Sequence, residues 1–130
     1  KYGKNFVKTM IKLLLDKKEV RIVSDQKISV CSSRDLANNI PYLIEIYKKN
    51  IIHDNNKSGD RILHFTNKGY TTWLKVAKVI KDEINNIYKG RSTAKIIPIL
   101  HSEWKSEVKR PMDSRLKVDF RSPHWNLPHC

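Results

Sequence analysis

The sequence predicts an α/β fold, in the form of a small lobe built from three helices and a few short strands. Hydrophobic periodicity changes along the chain in the order helix, strand, helix, strand, helix, strand and loop. The 130 residues are 39% hydrophobic and include only four glycines and five prolines, which is enough for one modest core. Because the strands are short and few, the pattern favours a lobe of a larger protein over an independent doubly wound domain.

The first helix is predicted from Asn5 to Lys18. Asn5 is a suitable N-cap, because its side chain can accept a hydrogen bond from a free N–H of the first turn. The apolar stripe of this helix consists of Phe6, Met10, Leu13 and Leu14. The β-branched run Val20–Val23 then predicts a strand, and the Ser-Asp-Gln after it predicts a turn.

A second helix is predicted from Ser33 to Lys49, with Ser33 or Ser32 as its cap. Pro41 is expected to kink this helix or to shorten its first half, since proline lacks the N–H of an interior position. The buried side is predicted to consist of Leu36, Ile40, Leu43, Ile44 and Tyr47. The polar residues 53–60 then predict a loop.

The third helix is predicted from Thr72 to Tyr88, with Thr71 or Thr72 as its cap and Gly90 as its closing residue. The apolar residues of this helix repeat at helical spacing and are Trp73, Val76, Ala77, Ile80, Ile84 and Ile87. A strand over residues 61–65 is expected to precede the helix.

Residues 95–100 predict a last strand, in which Pro98 indicates a sheet edge or a strand end. From His101 onward the chain is predicted to be mostly irregular, with a short helical turn over residues 102–107.

The chain is strongly basic. It carries a net charge of +13, from 26 lysines and arginines against 13 acidic residues. Such an excess suits a polyanionic partner, either a nucleic acid or a phosphorylated ligand. The alternative is an AT-rich coding sequence, which would enrich lysine, asparagine and isoleucine and give the same excess without functional meaning. A basic module for nucleic acid or anionic surfaces is therefore kept as an alternative, and nucleic acid is not the expected partner.

No apolar run reaches the roughly 20 residues that a membrane span needs. The first residues also lack the pattern of a cleavable signal, so a cytoplasmic protein without a membrane partner is expected. Cys31 and Cys130 have neither zinc nor redox spacing and are expected to be free thiols. His124 and His129 have no cysteine pair beside them, so no metal site is expected.

The sequence lacks the motifs of a complete catalyst. Its four glycines, at positions 3, 59, 69 and 90, form no phosphate-cradling loop. It contains no Tyr-x-x-x-Lys pair, no Gly-x-Ser-x-Gly elbow and no His-Glu-x-x-His helix. Tyr70 and Trp73 are expected to pack rather than to react. No catalytic residue is assigned, and whether the chain by itself is an enzyme stays open.

The segment KRPMDSRL at 109–116 has the features of an anion-binding loop. Arg110 and Arg115 carry guanidinium groups that bind phosphate through two hydrogen bonds each, and Pro111 stiffens the backbone between them. Asp113 could orient the arginines or contact a sugar hydroxyl. The alternative is a solvated turn whose arginines pair with carboxylates.

Two other places are candidates for the same ligand. The predicted helix start at Asn5 and Phe6 offers free N–H groups and the positive end of the helix dipole to an anion, although an ordinary cap is the alternative. Asp25 and Gln26, after the first strand, could line the same cleft, although polar residues are also usual in turns.

Four stretches of the sequence match one known family in their order and spacing. NFVKTMIKLL followed by VRIVSDQ is similar to a helix, strand and turn of that family, and SSRDLA to its next helix start. LHFTNKGYTTWLKVAKVI resembles a strand, then glycine, threonine and tryptophan, then a helix. KRPMDSRL, with PHW at 123–125, resembles an Arg-Pro-x-Asn-Ser-Arg-Leu signature and a closing Leu-Pro-x-Trp. The family is dTDP-4-dehydrorhamnose reductase, an extended short-chain dehydrogenase/reductase, and the resemblance is to its C-terminal half.

The resemblance implies a reductase that uses NADPH or NADH to convert dTDP-4-dehydro-rhamnose to dTDP-rhamnose, for surface polysaccharide such as lipopolysaccharide. In that family a Gly-x-x-Gly-x-x-Gly cofactor loop and a Tyr-x-x-x-Lys pair lie in an N-terminal Rossmann domain, and neither motif occurs here. Residues 1–130 are therefore expected to form a single substrate-binding lobe that lacks the Rossmann domain and binds no cofactor by itself. A separately encoded Rossmann half is a possible partner, and an inactive split-gene remnant is an alternative.

By this resemblance, six residues are candidates for substrate binding: Asn5, Phe6, Gln26, Arg110, Asp113 and Arg115. The two arginines would hold the diphosphate or ribose of the dTDP group.

The sequence departs from the family pattern at three places. Ile28 and Val30 replace the glycine and proline of a turn, which is expected to be rebuilt because β-branched residues rarely adopt positive φ. Asp113 replaces an asparagine and adds a negative charge near the expected diphosphate. Arg34 occupies the position of a glutamate that binds a metal in some relatives, so that metal is not expected here.

Overall fold

The computed structural model describes residues 5–53, 64–105, 108 and 110–116. The chain divides into two compact units, residues 1–28 with 71–114 and residues 29–70 with 115–130. The predicted α/β class, with three helices and short strands, is confirmed.

The elements alternate along the chain. The helices are α1 (Phe6–Asp16), α2 (Ser33–His53) and α3 (Trp73–Ile87). The strands are β1 (Glu19–Val23), β2 (Lys27–Ile28), β3 (Thr71–Thr72), β4 (Lys95–Ile99) and β5 (Asp113–Ser114). A single turn of 3₁₀ helix covers His101–Glu103. The predicted short helical turn is therefore present, although it begins one residue earlier than expected. Residues 106 and 107, the end of the predicted turn, lie outside the described residues.

The first unit is organised around the parallel pair β1–β4. The register runs from Glu19 opposite Lys95 to Val23 opposite Ile99. Beyond the pair, the backbone N–H and the hydroxyl of Ser24 both donate to the carbonyl of Ile99, at 2.9 and 3.0 Å. Parallel strands need a crossover connection, and here α3 lies in that connection and packs against the sheet.

The core of the first unit lies between α1, α3 and this strand pair. The buried residues of this core cluster are Met10, Leu14, Val20, Ile22, Ala77, Ile84 and Ala94. The predicted stripe of α1 is confirmed, with Met10 and Leu14 buried and Phe6 and Leu13 packed at the edge of the cluster. Burial of each of the larger side chains, those of valine, leucine, isoleucine and methionine, stabilises the fold by about 1.5–3 kcal/mol.

The ends of the two core helices follow local capping rules. The Asn5 side chain accepts from the N–H of Lys8 at 2.9 Å, and the Thr72 hydroxyl accepts from the N–H of Lys75 at 3.2 Å. At the C-terminal end of α3, Gly90 N–H donates to the carbonyl of Asn85 at 2.9 Å. Lys89 and Gly90 both have positive φ, 49° and 79°, so the helix closes on a left-handed lysine followed by the expected glycine. Ile87, predicted on the apolar stripe, is exposed.

A small three-stranded sheet has the order β3–β2–β5. Lys27 and Ile28 pair antiparallel with Thr72 and Thr71, and parallel with Asp113 and Ser114. The sequence prediction contained no strand here, because two residues are too few for an alternating pattern and both partners are distant in the chain. Ile28, which was expected in a rebuilt turn, is a buried strand residue.

The second unit contains α2, whose first turn is fixed by side chains. Ser32 is the cap: its hydroxyl accepts from the N–H of Asp35 at 3.3 Å, and its carbonyl accepts from the N–H of Leu36 at 2.9 Å. Asn67 holds this turn from outside, since its amide oxygen accepts from Ser32 N–H at 3.0 Å and its amide nitrogen donates to the Asp35 carboxylate at 2.8 Å.

Two predictions for α2 are tested by the structure. Pro41 lies inside the helix and does not shorten it, because the loss of one hydrogen bond is tolerated within a run of 21 residues, while the alternative, a kink at Pro41, stays a prediction. The predicted buried side is mostly exposed: the exposed residues are Leu36, Ile40, Ile44 and Tyr47. Helical spacing identifies an apolar face but does not say whether another element covers it.

The strand predicted over 61–65 is not formed by His64 and Phe65, and residues 61–63 lie outside the description. The following residue, Thr66, makes a side-chain hydrogen bond: its hydroxyl donates to the carbonyl of Val30 at 2.8 Å. Most of the predicted polar loop, residues 54–60, also lies outside the description.

Candidate functional site

A cavity of about 310 Å³ lies in the first unit, at the small end of the usual range for small-molecule sites. The residues that line it come from α1, β1 and the turn after it, the first residue of α3 and the chain after β4. They are Phe6, Thr9, Met10, Leu13, Arg21, Ile22, Val23, Gln26, Trp73, His101, Trp104 and Arg110.

The wall of the cavity is largely apolar and aromatic. The rings of Phe6 and Trp73 lie with their centroids 4.4 Å apart and their planes tilted by 42°. Both residues pack against the core, which fixes their orientation, while Trp104 is about half exposed. Aromatic surfaces of this kind accept a planar base or the apolar face of a sugar.

One polar group in the cavity wall is deeply buried. Gln26 is only 4% exposed, and its side-chain nitrogen lies 3.1 Å from Nδ1 of His101 and 3.4 Å from the carbonyl of Pro111. His101 is held in turn by Asp25, whose carboxylate accepts from the backbone N–H of His101 at 2.9 and 3.2 Å. The chain after β1 and the chain after β4 are therefore joined at the cavity by side chains.

Two arginines supply positive charge. Arg21 lies 3.9 Å from the carboxylate of Glu103, and both side chains are largely exposed, so that ion pair is weak. Glu103 is also held by the N–H of Leu100 at 2.7 Å. Arg110 is exposed and has no ion-pair partner among the residues that the structure describes.

Three of the six predicted site residues meet at this cavity, namely Phe6, Gln26 and Arg110. Asn5 immediately precedes Phe6 and is the N-cap of α1, which was the alternative role considered for it. Asp113 pairs with Lys27 in the small sheet. The binding roles of all six residues remain predictions.

Arg115 belongs to the second unit. Its guanidinium carbon lies 4.9 Å from the centre of the Tyr70 ring, a cation–π contact. The N–H of the next residue, Leu116, donates to the Ser29 hydroxyl at 3.2 Å.

Sequence reasoning missed Arg21, His101 and Trp104 as cavity residues. Trp73 was expected to pack, and it both packs against the core and lines the cavity. The usable signal was the cluster of His101 and Trp104 directly after a strand, because polar and aromatic residues at parallel strand ends often line sites.

The described residues contain no glycine-rich cradle for a dinucleotide. A dinucleotide cradle requires several glycines between a strand and a helix N-terminus. The described glycines are Gly69 and Gly90, two isolated turn residues. Nor does any group of three metal-ligating side chains occur within the described ranges.

The searched helices include none that is long and apolar enough to span a membrane. Cys31 is a free, exposed cysteine, and Cys130 lies outside the described residues. Partial burial raises the pKa of the Cys31 thiol, and the nearby Asp35 carboxylate raises it further.

The chain resembles known bacterial proteins along nearly its whole length. It is 33% identical over 129 residues to the spore coat polysaccharide biosynthesis protein SpsK of Bacillus subtilis, covering 95% of this chain and 39% of SpsK. It is 32% identical over 117 residues to dTDP-4-dehydrorhamnose reductase of Aggregatibacter actinomycetemcomitans, covering 90% of this chain and 38% of that enzyme. The chain thus spans about two fifths of the length of these relatives.

Solved structures of two reductases also resemble this chain over most of its length. The dTDP-4-dehydrorhamnose reductase of Bacillus anthracis, solved in complex with NADP, superimposes with a TM-score of 0.68 at 29% identity, over 92% of this chain and 36% of that one. The enzyme of Clostridium acetobutylicum gives 0.64 at 31% identity, over 88% and 35%.

The family model of the RmlD substrate-binding domain matches residues 1–124. This match confirms the resemblance that the sequence motifs indicated. The chain therefore belongs to the RmlD substrate-binding domain family.

Proposed function

We propose that this chain forms the part of a dTDP-4-dehydrorhamnose reductase that binds the dTDP-sugar, and that the cavity of the first unit receives the nucleotide. The observation that carries the proposal is the combination, in one cavity of an RmlD-type chain, of core-anchored aromatic rings with two arginines. A nucleoside diphosphate needs both, an apolar surface for its base and positive charge for its phosphates.

The aromatic wall suits the base. Phe6 and Trp73 are held by the core on one side and face the cavity on the other, so little conformational entropy is lost when a planar ring packs on them. Trp104, which is half exposed, offers a third ring.

The arginines suit the diphosphate. Arg110 has no described ion pair to break before it binds an anion, and Arg21 has only the long contact with Glu103. A guanidinium group binds phosphate oxygens through two parallel hydrogen bonds, which gives orientation as well as affinity.

The reduction itself is assigned to a Rossmann-type part of the complete enzyme, with NADPH or NADH as the hydride donor. The role of the present residues is to bind dTDP-4-dehydro-rhamnose and to orient its sugar toward that part. The product, dTDP-rhamnose, would form in the cytoplasm. It would then be used for the synthesis of surface polysaccharide. The name of SpsK, a spore coat polysaccharide biosynthesis protein, supports this direction.

Tryptophan fluorescence tests the proposal, because Trp73 and Trp104 both line the cavity. We expect dTDP and dTDP-rhamnose to change the emission of the full chain saturably, with a Kd in the range of about 1 μM to 1 mM. Trp73→Phe and Trp104→Phe should each remove part of the signal. No saturable change with either nucleotide up to about 1 mM would overturn the proposal.

A further inference from the structure

We propose that Gln26 is a positioning residue, which holds the chain beside Arg110 so that the guanidinium group is ready to bind a phosphate in the cavity. The inference rests on the proposed function, since it assumes that Arg110 binds a phosphate group. It gives Gln26 a role other than contact with the ligand. The two roles lead to different results in a double-mutant experiment.

The partners of the buried Gln26 amide indicate what it does. Gln26 is 4% exposed, and a buried amide is costly unless it forms hydrogen bonds. Its side-chain nitrogen donates to the carbonyl of Pro111 at 3.4 Å and lies 3.1 Å from Nδ1 of His101. Because the carbonyl of Pro111 can only accept, the atom that faces it is the NH₂ nitrogen, which has one hydrogen for each partner. One side chain therefore joins the turn after β1 to the chain after β4 and to the residue that follows Arg110.

His101 gives this amide a fixed support. The Asp25 carboxylate accepts from the backbone N–H of His101 at 2.9 and 3.2 Å. The histidine that faces Gln26 is thus itself attached to the turn from which Gln26 comes. The Pro111 carbonyl is held by a group whose own position is restrained on two sides.

Pro111 transmits this restraint to Arg110. Its pyrrolidine ring fixes its own φ, and it restricts the residue before it, Arg110, to extended backbone conformations. With the Pro111 carbonyl held by Gln26, little rotation remains between that carbonyl and the arginine. The backbone of Arg110 is then in place at the cavity wall before the ligand binds, which reduces the conformational entropy lost on binding.

Backbone hydrogen bonds hold the residues that follow. The N–H of Lys27 donates to the carbonyl of Met112 at 2.9 Å, and β2 pairs with β5. These bonds do not involve the side chain of Gln26. Its replacement is therefore expected to loosen the chain at Arg110 without releasing the strand pair.

A double-mutant cycle with Gln26→Met and Arg110→Ala tests the proposal, by isothermal titration of dTDP into the full chain. Methionine is close to glutamine in size and has no hydrogen-bond donor. We expect Gln26→Met to weaken dTDP binding about fivefold when Arg110 is present and less than about twofold in the Arg110→Ala protein, because a positioning residue acts through the residue that it positions. Equal losses in both backgrounds would show that Gln26 does not act through Arg110 and would overturn the proposal.

Ser92→Ala is the matched control. Ser92 belongs to the same unit, is also 4% exposed, and donates its hydroxyl to the carbonyl of Leu14 at 2.9 Å. Neither residue lines the cavity. We expect Ser92→Ala to lower the free energy of unfolding and to leave the affinity for dTDP unchanged. A loss of affinity as large as that in Gln26→Met would mean that removing any buried hydrogen bond of this unit is enough, and would refute the positioning role.

The same titrations separate this proposal from the proposed function. If dTDP binds the unmodified chain and binds Gln26→Met equally well, the positioning role is wrong and the proposed function stands. If dTDP does not bind the unmodified chain, both are wrong. If Gln26→Met does not fold, Gln26→Asn takes its place in the cycle with the same expected results, since its amide is one methylene shorter and cannot reach both partners.

Discussion

Arg110 is the cavity residue whose loss should cost most in phosphate binding. It is exposed and has no ion pair among the described residues, so Arg110→Ala removes the proposed phosphate contact without leaving a buried charge behind. We expect dTDP to bind about 1–3 kcal/mol more weakly, the value of a hydrogen bond to a charged group. Isothermal titration measures the change.

Arg91→Ala is the matched control for this prediction. Arg91 is also exposed and lies outside the cavity. Its replacement by alanine therefore removes the same charge from the same unit. An equal loss of dTDP affinity in both variants would show that Arg110 acts through net charge alone.

The reactivity of the Cys31 thiol is expected to depend on pH. Since partial burial and the Asp35 carboxylate raise the pKa of its thiol, less thiolate is present at a given pH. We expect iodoacetamide to alkylate Cys31 more slowly at pH 8 than an unperturbed thiol, with the rate still rising above that pH. Asp35→Asn should increase the rate at pH 8 by lowering the pKa.

The alkylation is followed by mass spectrometry in a Cys130→Ser background, so that only Cys31 reacts. Asp82→Asn, which removes an exposed acid from α3, is the control. An Asp35→Asn rate no faster than that of the control would contradict the electrostatic contribution.

At the scale of elements, the first turn of α1 depends on Asn5. Its side chain bonds to the N–H of Lys8, and alanine cannot replace that bond. We expect Asn5→Ala to lower the free energy of unfolding by about 0.5–2 kcal/mol, and Asn5→Asp to retain it because aspartate also caps. Urea unfolding followed by circular dichroism measures both variants. Equal stability of the alanine and aspartate proteins would contradict the capping role.

In α2, substitution of Pro41 by alanine is expected to increase stability, the opposite of the effect of Asn5→Ala in α1. It stands inside the helix without an N–H to donate, so Pro41→Ala restores one backbone hydrogen bond. We expect the free energy of unfolding to rise by about 1–3 kcal/mol. Asn38→Ala, exposed on the same helix, should give only about 0.5 kcal/mol from helix propensity. A loss of stability in Pro41→Ala would mean that the helix requires the shape that proline imposes.

The two core helices show where element prediction from sequence works. The bounds of α1 and α3 were predicted to within two residues, because their caps are local and their apolar faces pack against each other and against β1. The apolar face of α2 has the same spacing, yet it is exposed, since coverage depends on which other element lies against it.

For the whole molecule, the net charge of +13 makes a prediction about selectivity. We expect random duplex DNA to bind no more tightly than about 1 μM at physiological salt, and its affinity to fall steeply as salt rises, because several phosphate contacts release counterions. Binding of dTDP, which has a single diphosphate, should depend on salt much less. Titrations at several salt concentrations measure both. DNA binding much tighter than about 1 μM would favour the basic-module alternative.

The sequence by itself determined the α/β class, the two core helices, the parallel-strand segments and the family, because these depend on local caps, on hydrophobic period and on motifs in order. It also named Phe6, Gln26 and Arg110, although residues so distant in the chain carry no local sign that they meet. Only the tertiary structure brought them to one cavity with His101 and Trp104, paired β2 with strands far along the chain, and placed Arg115 in the other unit. Such contacts are decided by how separate segments pack together, and neither composition nor spacing contains that information.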